Sequence, residues 1–434
     1  MTKWLHLVLA ALLLGGCVSA RAPAPALDAI AADYVRMTLE IGEHSEGYVD
    51  AYYGPAEWQA AARANKRPLP ALAAEAARLH AAVTAVNPAR LDRLEQRRRS
   101  FLLGQLTAAT TRLRMIQGER LSFAEEARGL FGITPEIHPL SHYDPVLARI
   151  EQLLPGSGTL AERAEAFQNR FVIPADRLDA VFRAAIAECR RRTQQHFQLP
   201  ENEQFTLEFV TNKSWSGYNY YQGNNRSLIQ INTDLPIRIS RAVDLGCHEG
   251  YPGHHAYNVL LEQRLARQRG WVEFMVYPLY SPQSLLAEGS ANYGIDLAFP
   301  GPERLEYETR ALYPLAGLST QGAAAFLEFQ RATQALAGAR FTIARDYLEG
   351  RITREQAVEL AQRYQLVSRA RAEQSVAFTD QYRSYVINYG LGQDLVRAHI
   401  EAAGATPAAR WAAMERILSE PTVPADLTAT RPAR

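Results

Sequence analysis

The chain reads as a mainly α protein in two helical lobes, with a small antiparallel sheet beside the helix that carries its densest chemistry. Three observations predict this. Four long stretches place apolar residues at three- and four-residue steps, the spacing of amphipathic helices. After Asn202 the period shortens to two, the mark of strands. The 434 residues also exceed the usual size of one domain, so a helical lobe over 27–200 and a second lobe over 201–434 are expected.

The first residues read as an export signal. Lys3 supplies a positive charge, residues 5–14 form an apolar run too short for a conventional membrane span, and Leu14-Gly15-Gly16-Cys17 has the order of a lipoprotein processing site. Residues 1–16 would be removed, Cys17 would become the lipidated N-terminus, and 17–26, ending in alternating Ala and Pro, would form a tether. A cut after Ala20 or Ala22 is the alternative, and it also sends the chain out of the cytoplasm. Val18, in place of an aspartate, resembles the outer-membrane sorting preference of Gram-negative lipoproteins. The periplasmic side of the outer membrane is therefore the expected location.

The helical stretches are 27–43, 71–86, 91–117 and 175–197, separated by breakers such as Gly54-Pro55, Gly156-Ser157-Gly158 and Leu199-Pro200. The aromatic run from Tyr48 to Pro55 is expected to be a helix end packed on the other lobe. Residues 205–210 and 227–232 alternate as strands. Between them lies an aromatic, turn-rich segment, 215–225, with two readings: an edge that receives an extended peptide by backbone pairing, or an ordinary hairpin.

The sheet leads into Cys247-His248-Glu249-Gly250-Tyr251-Pro252-Gly253-His254-His255, which puts three imidazoles and a carboxylate in eight residues. Imidazole nitrogen and carboxylate oxygen are the ligands of a catalytic zinc, usually three from the protein with the fourth position left to water. In H-E-x-x-H helices the histidines stand four residues apart; here Pro252 occupies the second histidine's place. On an unbroken helix His254 would sit about 240° round the axis from His248, so the helix must be interrupted. Pro252 and Gly253 supply the break, and a bulge there could swing His254 back over His248. His255, the competing ligand, returns to the same face but about 10 Å further along a straight helix. Glu288 is the candidate third ligand, in a helix-compatible segment opened by Ser281-Pro282, with small Gly289, Ser290 and Ala291 allowing close packing on the histidine-bearing helix.

These residues resemble a bacterial family catalogued as domain of unknown function 885, whose members carry H-E-x-x-P-G-H-H and then E-G-W-A-x-Y. Ile229 to Thr233 is similar to the family's strand ending in V-N-T, and Tyr389-Gly390-Leu391-Gly392 to its late Y-x-L-G segment. The likeness covers about the C-terminal half. Ser290 replaces the family's tryptophan. The resemblance implies a gluzincin-like zinc peptidase, with His248, His254 and Glu288 as Zn2+ ligands and Glu249 as general base. A late tyrosine, Tyr389 ahead of Tyr385, is implied as donor to the oxyanion.

The remaining composition sets limits. With 47 basic against 46 acidic residues there is no electrostatic case for nucleic acid. Cys189 and Cys247 could pair in an oxidising compartment, but so long a chain needs no disulfide staple, and two buried thiols are the expectation. Two functions from different classes fit: a zinc-dependent hydrolase cleaving peptides or cell-wall fragments outside the cytoplasm, and a lipoprotein that binds metal or peptide without turnover. Glu249 separates them, because a binder needs ligands but no base.

Overall fold

Helices dominate the computed structural model, which describes residues 24–428. The N-terminal half supplies α1 (Ala24–Gly42), α2 (Leu69–Ala85), α3 (Arg93–Ile116) and α4 (Leu178–Gln194). Each lies within a few residues of its expected stretch. α3 starts sharply because Asp92 caps the amides of Leu94 and Glu95 while the Glu95 side chain returns to the Asp92 amide. α1 begins at Ala24, so the last residues of the expected tether are already helical. Lys3, the 5–14 run and Cys17 lie outside the described residues.

The run from Tyr48 to Pro55 corrects the expectation of a helix end. Val49–Tyr52 is a strand, β1, paired antiparallel with β5 (Val276–Pro278) of the other half. β-Branched and aromatic side chains favour this pairing, and the ladder skips a residue between Val49 and Ala51. Asp50 is the residue skipped.

The second sheet holds β2 (Gln204–Val210), β3 (Gly217–Gly223) and β4 (Arg226–Asn232) in the order β2-β4-β3. β3 and β4 form the expected antiparallel hairpin, turning through Asn224 and Asn225, both at positive φ. β2 joins β4 in parallel instead. Alternation specifies which face of a strand is buried and is silent on its direction, so this pairing could not be read from the period.

From the sheet the chain enters α5 (Ser240–Leu245), a π-helical turn over Gly246–Gly250, the cis Tyr251–Pro252 peptide, and α6 (His254–Leu261). Further on come α7 (Pro282–Ala298), α8 (Ala337–Leu348), α9 (Arg369–Tyr382) and α10 (Ile387–Ala402). Pro282 sits at the start of α7, where its missing N–H costs nothing. One apolar core runs from Leu27 to Leu427 and takes residues from both halves.

Cys189 and Cys247 form a disulfide, with Cα atoms 5.4 Å apart, which corrects the expectation of free thiols. Chain length argues only that no staple is needed for a core. This bond has a local role: it pins the turn that carries His248 to α4.

Candidate metal centre

The π turn places one extra residue in the helix before Tyr251, and α6 then starts afresh at His254. Gly253 permits the join, since a Cβ there would run into the carbonyl oxygen of His248. The outcome is that the rings of His248 and His254 lie 4.7 Å apart, with their Nε2 atoms 3.1 Å from each other. Glu288, from the second turn of α7, brings Oε2 to 3.1 Å from His248 Nε2 and 3.7 Å from His254 Nε2.

Three ligand atoms around one tetrahedral ion at roughly 2.0–2.1 Å would stand about 3.3 Å apart, so these spacings fit a zinc-sized cation. A second observation agrees: Glu288 Oε2 is buried without a hydrogen-bond partner. Burial alone would push the Glu288 carboxyl up, but the imidazoles of His254 and His248 outweigh it and hold the group well below the usual carboxylate range. Two imidazole nitrogens and a carboxylate oxygen would make such a donor set.

Glu249 also falls with the two imidazoles inside 4.8 Å. It could be taken as a ligand as well; Glu288 Oε2, at 3.1 and 3.7 Å from the two Nε2 atoms, is the oxygen that is both close to them and without a hydrogen-bond partner. Burial pushes the Glu249 carboxyl up to about 7, with His254 opposing and Glu288 adding. A general base is most effective near that value. Gly217 of β3 makes room for it: a Cβ there would lie 2.6 Å from Glu249 Oε1.

His255 points the other way. Its ring is fully buried, with Nδ1 2.7 Å from Ser227 Oγ and Nε2 2.9 Å from Glu203 Oε2, and Tyr251 donates to the same carboxylate. A serine, a histidine and an acid thus meet inside the core, where no substrate can reach them. They lock α6 onto the sheet.

Partners from α7 and α10 and the turn before it hold two of the three converging residues, His248 and Glu288, in place. Asn292, four residues after Glu288 on α7, donates from Nδ2 to the Tyr389 carbonyl at 3.0 Å, which leaves its Oδ1 to accept from His248 Nδ1 at 3.0 Å. The proton is thereby kept on Nδ1 and the lone pair on Nε2. Tyr385 donates to Glu288 Oε1 at 2.8 Å. Tyr389 lines the cleft with its ring 6.4 Å from the His248 ring, and burial raises its pKa well above 10. Asn232 donates to the carbonyls of Lys213 and Trp215, and Asn219 to that of Glu249, so the rim of the cleft and the turn are tied to the sheet.

The close helix packing differs from expectation in detail. Gly289 meets Gly392 of α10, the late segment, while Gly294 is the residue that lies against Pro252 in the histidine-bearing turn.

The site opens on a cleft of about 690 Å³ bounded by β3, α7, α8, α9 and α10. Sequence reasoning missed four of its residues. Asn292 had a signal, since i and i+4 share a helix face with Glu288. Asp50, Tyr218 and Arg340 had none: the Tyr218 hydroxyl donates to Asp50 Oδ1 at 2.9 Å across elements that only the fold brings together.

No protein-family model and no curated protein matches the sequence. The structure is similar to that of a candidate lipoprotein from Colwellia psychrerythraea, with a TM-score of 0.51 and 16% identity, covering 93% of this chain and 75% of that one. It also aligns with the M32 carboxypeptidase from Deinococcus radiodurans R1, with a TM-score of 0.42 and 14% identity over 90% of this chain and 88% of that one. The first likeness establishes a shared fold. The family resemblance continues to rest on the motif residues themselves.

Proposed function

We propose that this protein is a zinc-dependent peptide hydrolase that works outside the cytoplasm as a lipoprotein anchored through Cys17. The observation that carries the reading is the convergence of His248 Nε2, His254 Nε2 and the unsatisfied Glu288 Oε2, with the Glu249 carboxylate beside them. The disulfide supports export, since such bonds persist in oxidising compartments.

His248, His254 and Glu288 would hold the ion, which when bound supplies Lewis-acid polarisation of a scissile carbonyl and acidifies water. Glu249 takes the proton at its carboxylate and returns it to the leaving amine. Tyr389, kept protonated by burial, donates to the oxygen on which charge develops; the Tyr385 hydroxyl is already committed to Glu288. β3 is an edge strand on the cleft, able to pair with an extended peptide.

The test combines metal analysis with a peptide-library digest. His248→Ala and Glu288→Ala should each lose stoichiometric zinc. Glu249→Gln should keep it while hydrolysis falls by about 10² or more, the scale of losing a general base. His255→Ala should keep zinc in whatever protein folds, because its ring faces the core. Wild-type turnover in Glu249→Gln, or full zinc in Glu288→Ala, would sink the assignment of that residue. A wild-type protein that binds zinc and cleaves nothing would favour the binding lipoprotein.

A further inference from the structure

Arg340 lies in the first turn of α8 and lines the cleft. Its guanidinium sits 5.0 Å over the Phe378 ring and 5.8 Å over the Tyr389 ring. Among the described residues no carboxylate pairs with it, and its Nε is buried without a hydrogen-bond partner. The other arginines of the cleft are engaged. Arg238 pairs with Glu165 at 2.6 Å, Arg241 with Asp244 at 3.5 Å, Arg304 with Asp244 and Glu308, and Arg371 donates to the Pro236 carbonyl. Glu288 is the acid whose field reaches Arg340, but no ion pair joins them: Glu288 faces the imidazoles of His248 and His254 with Oε2 and accepts from Tyr385 at Oε1.

A guanidinium stays charged in a protein, and this one, half-buried at the cleft wall with its Nε shut off from water, has lost hydration without gaining an anion, so the position suits an anion from outside. Among the described residues no acceptor meets its N–H donors, and a guanidinium's planar fork matches a carboxylate bidentately. The Tyr389 ring lies 5.8 Å from this guanidinium and 6.4 Å from the ring of His248, so the two are neighbours in one cleft.

We propose that Arg340 receives a carboxylate of the substrate, borne by a residue next to the bond that is cut. Only the position of the cut rests on the peptide-hydrolase reading; the binding does not. The carboxylate could be a free C-terminus or an Asp or Glu side chain.

The test is calorimetric binding to the full-length Glu249→Gln protein, with and without chelator, using N-acetylated peptides of neutral sequence. Three forms are compared: the free acid, its C-terminal amide, and an amide carrying glutamate at the last position. One carboxylate form should bind about 10- to 100-fold more tightly than the neutral amide, the range for a hydrogen bond to a charged group. Preference for the free acid assigns the terminal carboxylate, and preference for the glutamyl amide assigns the side chain. Arg340→Met, which keeps an apolar stem for the two rings, should bring all three forms within about twofold. Arg340→Lys keeps the charge without the fork and should retain part of the preference, and it carries the test should the methionine variant melt early. Equal binding of all three forms in the parent protein, or a preference that survives either substitution unchanged, overturns the proposal. A preference that depends on Arg340 in a protein with no zinc and no hydrolysis in its unsubstituted form would refute the hydrolase reading and leave this one standing.

Discussion

Asp50 reaches the cleft because one residue of β1 is left out of the ladder, and a bulge of that kind re-aims the side chain it frees. Burial pushes its carboxyl from 3.8 up to about 6, against the pull of the Tyr218 hydroxyl and His254. An acid whose folded pKa lies above its unfolded value binds its proton more tightly when folded. Its contribution to stability is therefore greatest at low pH, falls as pH rises from about 4 to about 6, and stays low above that. At 1.36 kcal/mol per unit, discounted because Asp50 is only partly enclosed, the loss is on the order of 2 kcal/mol. Asp50→Asn cannot ionise but can still accept from Tyr218. In denaturant melts of chelator-treated protein, the variant should exceed the wild type by about that amount at pH 8, with the gap closing towards pH 4. Parallel curves for the two proteins would show that Asp50 ionises without cost.

At the scale of elements, what could be read from the sequence is what one segment decides by itself. The 3.6-residue period belongs to each helix alone, and α1 to α4 lie close to the expected stretches. The break at Pro252 and Gly253 was legible for the same reason, because the missing N–H and the absent Cβ act locally. β1 and β5 were not legible. Each is short, and each is a strand only because the other half of the chain supplies its partner. Among the site residues, the histidines and the two glutamates sit in dense motifs, whereas Arg340 and Asp50 are ordinary charges until folding removes or supplies their neighbours. The packing of α7 on α10 is likewise a pairwise fact. Gly289 and Gly392 let the two backbones touch, and a Cβ at Gly289 would run into the Gly392 carbonyl. Gly289→Ala should then force α7 outward at the residue following Glu288. The expected result is a loss of about 1–3 kcal/mol in stability, the usual cost of overpacking, together with weaker zinc binding in a metal titration. Stability and affinity both unchanged would mean that the contact has slack.

At the scale of the whole molecule, two long-range ties fix the site to the N-terminal half. Arg98 on α3 is 2% exposed and forms a double hydrogen bond to Glu273, just before β5, while it also reaches Asp28 on α1. That pair determines where β5, and with it the start of α7, can lie. The second tie is the disulfide from Cys189 to Cys247, which closes a loop of 58 residues containing β2, β3 and β4 and ends one residue before His248. No helix among the described residues is long and apolar enough to cross a membrane. For a loop of this length the chain-entropy estimate of the bond's contribution is about 4 kcal/mol, acting through the unfolded state. The Cys189→Ala, Cys247→Ala double variant should therefore unfold at a clearly lower denaturant concentration, and reductant should lower the wild type and leave the variant alone. Thiol titration of the denatured, exported protein decides the premise. Neither Cys189 nor Cys247 should react before reduction, and both should react after it. Two reactive thiols in the unreduced protein would restore the reading of two buried cysteines and remove the tie that holds the His248 turn against α4.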